Sequence, residues 1–429
     1  MKFYVRRFAF LAAIFPLISM AAAAVSAERI GDGGRFNDYY QDEETLTSNK
    51  AGCDAPEGCD AVGCDVAGGC DDSDCASCGW CKLGCRRTLQ QYENCWGISY
   101  GGWAQFGYHT HHTPLSSAVP FVGSGLSFND APSQINAHQV VAYVEKEAAG
   151  DCYWDWGFRF DLMYGTDAQK TQAFGGTPNN WDNPWDHAEY GWALPQAYLS
   201  FDRDDVTVIA GHFYSLMGYE AVSAPENFFY SHALTMFNSE PRTHTGIVAA
   251  YNPGGCDTTY YGGWTMGWDT AFEESPSGGS NFLGGVSTSL TERVTASYIL
   301  ALGDMGARGQ GYTHSIVINW QINRSWEYVA QSDAVVLAAE PGVNNGFLND
   351  QIGVNQYLFY TVNDCVKVGV RGEWWKTDFL NRYAVSAGVN IRPDANLVIR
   401  PEVRYDWGDG PTDIWPRRAI LAIDAVLTF

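Results

Sequence analysis

Residues 419–429 read AILAIDAVLTF. Leu421, Ile423, Ala425, Leu427 and Phe429 put an apolar side chain at every second position, and smaller or polar residues stand between them. A period of two sends successive side chains to opposite faces, which is a strand. Strands of about 9–11 residues with one apolar and one mixed face are what a tilted membrane-crossing strand needs. The stretch ends on an aromatic residue, which resembles the signal that marks bacterial outer-membrane barrels for insertion. A buried edge strand of a soluble sandwich can alternate in the same way, so the rest of the chain decides.

Residues 1–27 have the layout of a secretory signal peptide. Lys2, Arg6 and Arg7 precede an apolar run from Phe8 to Ala24, and Val25-Ser26-Ala27 is a small-residue cleavage site. The other reading, a transmembrane anchor, suits Pro16 and the alanine-rich end less well. Beyond residue 27 there is no long apolar run, and mean hydropathy is −0.21. Yet aromatics make up 14 %, with 16 Trp, 24 Tyr and 46 Gly. That combination fits a barrel, whose lipid-facing half is diluted by its lumen-facing half. The formal charge of −23 argues against nucleic acid as a partner.

Residues 28–94 form an acidic arm rich in Gly and Asp, without apolar periodicity, and are expected to be loosely ordered. The arm holds Cys53, Cys59, Cys64, Cys70, Cys75, Cys78, Cys81 and Cys85. Export to an oxidising compartment makes disulfides the default, although the tight run Cys75 to Cys85 also has thiolate spacing for a metal. Cys95, Cys152, Cys256 and Cys365 fall at expected strand ends. Spacing does not choose between buried thiols, mutual pairs and ties to the arm.

Residues 95–429 alternate to the end. Trp154, Trp156, Phe158, Phe160, Leu162 and Tyr164 share one face opposite Asp155, Gly157, Arg159 and Asp161. Leu397, Ile399, Val403, Tyr405 and Trp407 repeat this opposite Arg400, Glu402, Arg404 and Asp406, and Tyr383 to Ile391 alternates again. Such faces opposite charges fit lipid better than a soluble core. Strands are expected to begin near Cys95, His138, Cys152, Gly191, Val206, Arg242, Thr258 and Phe282. Eight more begin near Arg293, Tyr312, Ser325, Gln351, Cys365, Leu380, Asn396 and Arg417. Short turns alternate with longer loops. The expected fold is all-β, a closed antiparallel transmembrane barrel of about sixteen strands with both ends on the periplasmic side.

A barrel of this size has a lumen rather than a packed core. The third long loop, 215–241, is too apolar to wave in solvent and is expected to fold inward. It carries Glu220, Glu226 and Glu240, and late strands carry Arg371, Arg382, Arg400 and Arg404 on their inner faces. Acids facing arginines would set a transverse field across a constriction; the alternative is that the arginines pair along the wall with Glu373, Glu402 and Asp406. The segments Gly218-Tyr219-Glu220, Pro225 to Ser231 and Glu240 to Gly246 resemble the OmpL-like β-barrel porins of the second kind, over residues 95–429. The resemblance implies an outer-membrane pore with no catalytic residues to carry over.

The expected activity is therefore passive diffusion of small hydrophilic solutes and ions, without a cofactor. Expected partners are outer-membrane lipid, the barrel assembly machinery through the strand ending in Phe429, and further copies of the chain. The rival readings are an anchor that presents the disulfide-rich arm, and a substrate-selective channel. His109-Thr110-His111-His112 could hold a metal but reads more simply as a solvated loop. Ser231-His232 are adjacent, which does not make a nucleophile–base pair.

Overall fold

The computed structural model describes residues 83, 87–89, 96–111, 128–129, 131–150, 153–172, 186–255, 257–272, 278–338, 350–377, 381–409 and 417–429. Residues 1–27, the eight arm cysteines, Cys95, Cys152 and Cys256 lie outside them. Among the described residues sixteen strands form one closed sheet. They are β1 (Ile98–His109), β2 (Ile135–Lys146), β3 (Asp155–Gly165), β4 (Gly191–Arg203), β5 (Val206–Tyr214) and β6 (Thr243–Tyr251). Next come β7 (Thr258–Thr265), β8 (Ser280–Thr291), β9 (Val294–Asp304), β10 (Gln310–Gln321) and β11 (Trp326–Leu337). The last five are β12 (Gln351–Asn363), β13 (Val366–Thr377), β14 (Asn381–Asp394), β15 (Leu397–Asp409) and β16 (Arg418–Thr428).

Every strand pairs antiparallel with its neighbours in sequence, and β16 pairs with β1 to close the barrel. The alternation in sequence becomes a two-sided wall. Leu421, Ile423 and Leu427 are 55, 46 and 47 % exposed on the outside, while Ile420, Asp424 and Val426 are buried inside. Closure matters physically because an open sheet edge in hydrocarbon leaves backbone groups without partners.

Alternation breaks where the strands bulge. A register shift between Gln105 and Phe106 on β1 lets His138 and Gln139, adjacent on β2, both be buried. Beyond the bulge the ladder continues, Ile135 to Ala137 pairing with Tyr108 to Phe106, so β2 begins three residues before the position the pattern alone suggests. A similar shift lies between Asp161 and Met163 on β3.

Phe429 completes the seam. Its N–H donates to Gly102 O and its carbonyl accepts from Gly102 N–H, both at 2.9 Å. Its ring lies against Gly102, where an added Cβ would stand 2.8 Å from Phe429 Cε2, so only glycine admits it. Deleting Phe429 removes this bonded pair and the ring from the closing strands. The fraction of chain reaching a form that migrates differently unheated on gels is expected to fall, with export unchanged. Undiminished folding would make the final aromatic incidental.

Candidate pore constriction

Residues 215–242 join β5 to β6 and turn into the lumen. Long-loop-side inward positions are buried there: Thr313, Ser315 and Val317 on β10, and Val329, Gln331 and Asp333 on β11. Toward the short turns the same faces open, with Asn319, Glu327 and Lys367 half-buried and Gln321 exposed. The lumen is thus narrowed in one half and wide in the other.

The loop is apolar where it meets the wall. Phe228 and Phe229 pack with Val317, Val329, Tyr357 and Phe359 in one buried cluster. The wall provides glycines at the contact: a Cβ at Gly369 would stand 2.7 Å from Phe228 Cε1, and one at Gly388 3.3 Å from the Phe229 ring. On the other side Val222, Ala224, Met236 and Phe237 join a cluster with Trp103, Val141 and Met163.

Charged bonds fix the loop between these clusters. Arg371 on β13 donates to Glu220 Oε1 at 2.6 Å, Ser231 O at 2.7 Å and Glu373 Oε1 at 2.8 Å. Arg404 on β15 donates to His232 O and Glu373 Oε1, both at 2.9 Å, and to Asp406 at 3.0 Å. Arg400 donates to Asn227 O at 2.6 Å and Ala224 O at 2.9 Å while paired with Asp424. Carboxylates take up loop N–H groups in turn: Glu402 accepts from Ser231, Glu373 from Leu234 and Glu220 from Ala233. Arg382 is buried nearer the long loops, where Asp409 and Asp406 act on it.

The three loop acids therefore have different surroundings. Burial would raise the Glu220 carboxyl, but Arg371 outweighs it, with help from His232, and holds the group at about 2. Glu240 is buried beside Asp333, and one amide, that of Gln331, donates to both carboxyls. Burial and the Asp333 charge hold Glu240 well above the usual carboxylate range. Glu226 is half-buried, at the end of the short helical turn Ala224–Glu226. Of the acid–arginine contacts expected across the lumen, the structure makes Glu220–Arg371 a direct pair, while Arg400 and Arg404 are met by wall carboxylates and loop carbonyls.

Several residues of the site carry no signal in the sequence. Gln139 accepts from Ala224 N–H and donates to Val222 O, pinning the near limb of the loop. Tyr230 OH contacts His138 Nε2 at 2.6 Å and His109 Nδ1 at 2.9 Å, so the first histidine of the 109–112 run is internal. His111 is exposed and His112 lies outside the described residues. Ser231 Oγ donates to Glu402, and His232 faces Glu220. On β3 Arg159 bonds Glu145 and Asp161, each at 2.8 Å, with its side chain 22 % exposed.

A closed barrel, apolar outside and charged inside, with a loop fastened across half its lumen, is a membrane channel of the porin class. The family model described as "Putative beta-barrel porin-2, OmpL-like" matches residues 97–429, and the chain belongs to this family of outer-membrane porin channels. Two of the segments that carry the family resemblance, 218–220 and 225–231, bind the wall through Glu220, Asn227 to Phe229 and Ser231.

No curated protein sequence matches the chain. Among solved structures it is similar to the outer membrane channel DcaP of Acinetobacter baumannii, with a TM-score of 0.51 at 11 % identity over 77 % of this chain and 97 % of that one. The anion-selective porin from Comamonas acidovorans gives 0.51 at 10 % identity over 77 and 99 %. OmpT of Vibrio cholerae, in a trimer form, gives 0.50 at 10 % identity over 77 and 99 %. These likenesses are of fold. Family and fold mark a channel rather than an enzyme.

Proposed function

We propose that the protein lets small hydrophilic solutes and ions diffuse down their gradients, through a path narrowed by residues 215–242 and set by Glu220, Glu226, Glu240, Arg371, Arg382, Arg400 and Arg404. The supporting observation is the loop itself, which Arg371, Arg400 and Arg404 fasten to the inner wall of the barrel. Stepwise ion current in planar bilayers tests the reading; a purified barrel that inserts and passes no current would sink it.

Ion preference follows from which charges reach water. Arg371 already neutralises Glu220, whereas Glu226 is nearer the path. Replacing Glu220 and Glu226 by Gln is therefore expected to move the reversal potential toward anions, with Glu226→Gln alone giving most of the shift. Arg159→Gln is expected to move it the other way. Both shifts should shrink at 1 M salt, where screening shortens each charge's reach to about 3 Å. No shift at low salt would place the loop edge outside the ion path.

The proposal extends to the termini of the mature chain. Residues 1–27 would direct export, and residues 28–94 would lie at the short-turn, periplasmic end. Support comes from Arg87, whose N–H and C=O bond the Asn396 side chain at 2.7 and 2.6 Å, and whose guanidinium lies 3.2 Å from Asp394. Ala395 N–H also donates to Leu83 O. Cys365 is buried at the neighbouring short turn, between β12 and β13. The same contacts are what an anchor for the arm would use, and the bilayer measurement separates that reading from a channel.

A further inference from the structure

The long-loop end of the barrel holds an arginine with no carboxylate of its own. The segment that follows β7 turns sharply there, with Gly267 at φ +119° and Asp269 at φ +50° on either side of Trp268. A Cβ at Gly267 would stand 2.8 Å from Thr270 Oγ1 and 3.1 Å from the Met305 carbonyl, so glycine is required at that step. Trp268 N–H donates to Met305 O at 3.1 Å. The indole packs with Met305 and Val335 and is 1 % exposed. Val335 continues the inward row Val329, Gln331 and Asp333 of β11, which puts this cluster on the lumen side of the wall.

Two arginines meet at the turn and share one aspartate. Asp269 Oδ2 accepts from the Arg242 guanidinium at 2.5 Å, and Oδ1 accepts from the N–H groups of Arg242 and Thr243 at 2.7 and 3.0 Å. Arg308 ends the turn Gly306–Arg308 between β9 and β10 and is half-buried. Its guanidinium lies over the Trp268 ring, 4.7 Å from the centroid. It makes no hydrogen bond or ion pair among the described residues. Burial and the Arg242 charge pull Arg308 down to about 10, against the opposing pull of Asp269. The Nε1–H of the same indole is buried without an acceptor. In a chain of 49 acidic and 26 basic residues, an arginine left to share another's aspartate stands out.

We infer that Arg308 and the Trp268 N–H bind an oxyanion at the long-loop mouth, the carboxylate or phosphate group of a solute. The inference rests on the channel reading and names the class of solute that the mouth holds. A guanidinium over an aromatic face keeps its five N–H groups at its rim, where two can fork onto a pair of oxygens. Asp269 is held by Arg242 and by two backbone N–H groups, so it is not free to turn to Arg308. An oxyanion supplies Arg308 with the missing countercharge and the indole with an acceptor. A cation would be repelled by both arginines, and a neutral solute would leave the charge uncompensated.

The test is calorimetric titration of the full-length protein in mild detergent with sodium acetate or inorganic phosphate, at constant ionic strength. One saturable site of about millimolar affinity is expected for at least one probe. Acetate alone marks a carboxylate site, phosphate alone a phosphate site, and both a site that takes either. Arg308→Gln is expected to weaken binding about tenfold or more. Trp268→Phe keeps a ring without the N–H and should weaken it about threefold or more. Arg324→Gln, on the exposed turn between β10 and β11, should leave it unchanged. Arg308→Gln alters a half-buried turn and should keep the unheated gel migration of the wild type, so a folding defect in Trp268→Phe does not blunt the test. No saturable binding of either probe, binding indifferent to Arg308→Gln, or an equal loss in Arg324→Gln would overturn the inference. Bilayer current separates this outcome from the channel reading. A protein that conducts but binds neither probe keeps the channel and loses the site; one that binds but passes no current keeps the site and loses the channel.

Discussion

Replacing Arg371 by alanine should unseat the lumenal loop. This guanidinium alone binds Glu220, Ser231 and Glu373, and it stacks 4.8 Å over the Phe229 ring. Its removal leaves the Glu220 carboxylate without its arginine in a water-poor site, while Glu373 keeps Arg404. Breaking a buried pair by deleting one partner costs about 3–5 kcal/mol. The expected results are a lower thermal transition, protease cleavage within 215–242 and a larger, noisier single-channel current. Arg371→Lys should fall between, because an ammonium keeps the charge but lacks the planar fork whose separate nitrogens reach Glu373, Glu220 and Ser231. The acid side of the pair sets a pH limit. With Glu220 held at about 2, below the ordinary value of about 4.3, its contribution is complete above that ordinary value and is lost as pH falls through 2. A variant as quiet, stable and protease-resistant as the wild type would show that the apolar clusters alone hold the loop.

Removing the loop should have the largest effect on flow. With residues 222–238 replaced by a short Gly-Ser linker, the half of the lumen now occupied by Phe228, Phe229, Met236 and Phe237 becomes water. Single-channel conductance should rise several-fold, and ion preference should weaken because the path is wider and Glu226 leaves with the loop. The wall arginines 371, 400 and 404 would then face water with their wall carboxylates still beside them, so the barrel should survive. Unchanged conductance would mean that ions pass by a route the loop does not control.

The barrel was legible because each residue reports its own side of the wall. All sixteen strands begin within three residues of where alternation and turn signals put them. The inward set Arg400, Glu402, Arg404 and Asp406 is buried as a group, which follows from the pleat alone. What alternation cannot carry is the extra residue of a bulge, which turned His138 and Gln139 inward together. Nor can it carry register, which sets Arg400 opposite Asp424 and leaves Glu240 against Asp333 rather than an arginine. The loop's apolar character foretold that it would fold inward. Its partners could not be foretold, since they stand on strands far away in sequence, Arg371 by 140 residues from Ser231 and Arg400 by 173 from Asn227.

The seam between β1 and β16 bears on time as well as on shape. Every other neighbouring pair is consecutive in sequence, so those hairpins can zip with little chain to gather. The closing pair joins the strands furthest apart, and contacts of long sequence separation form slowly. Until they meet, β1 has one unsatisfied side, a template for pairing with any strand that drifts by. The first strand made is thus the last one completed. The interval between export and closure is when this chain most needs something to occupy that edge.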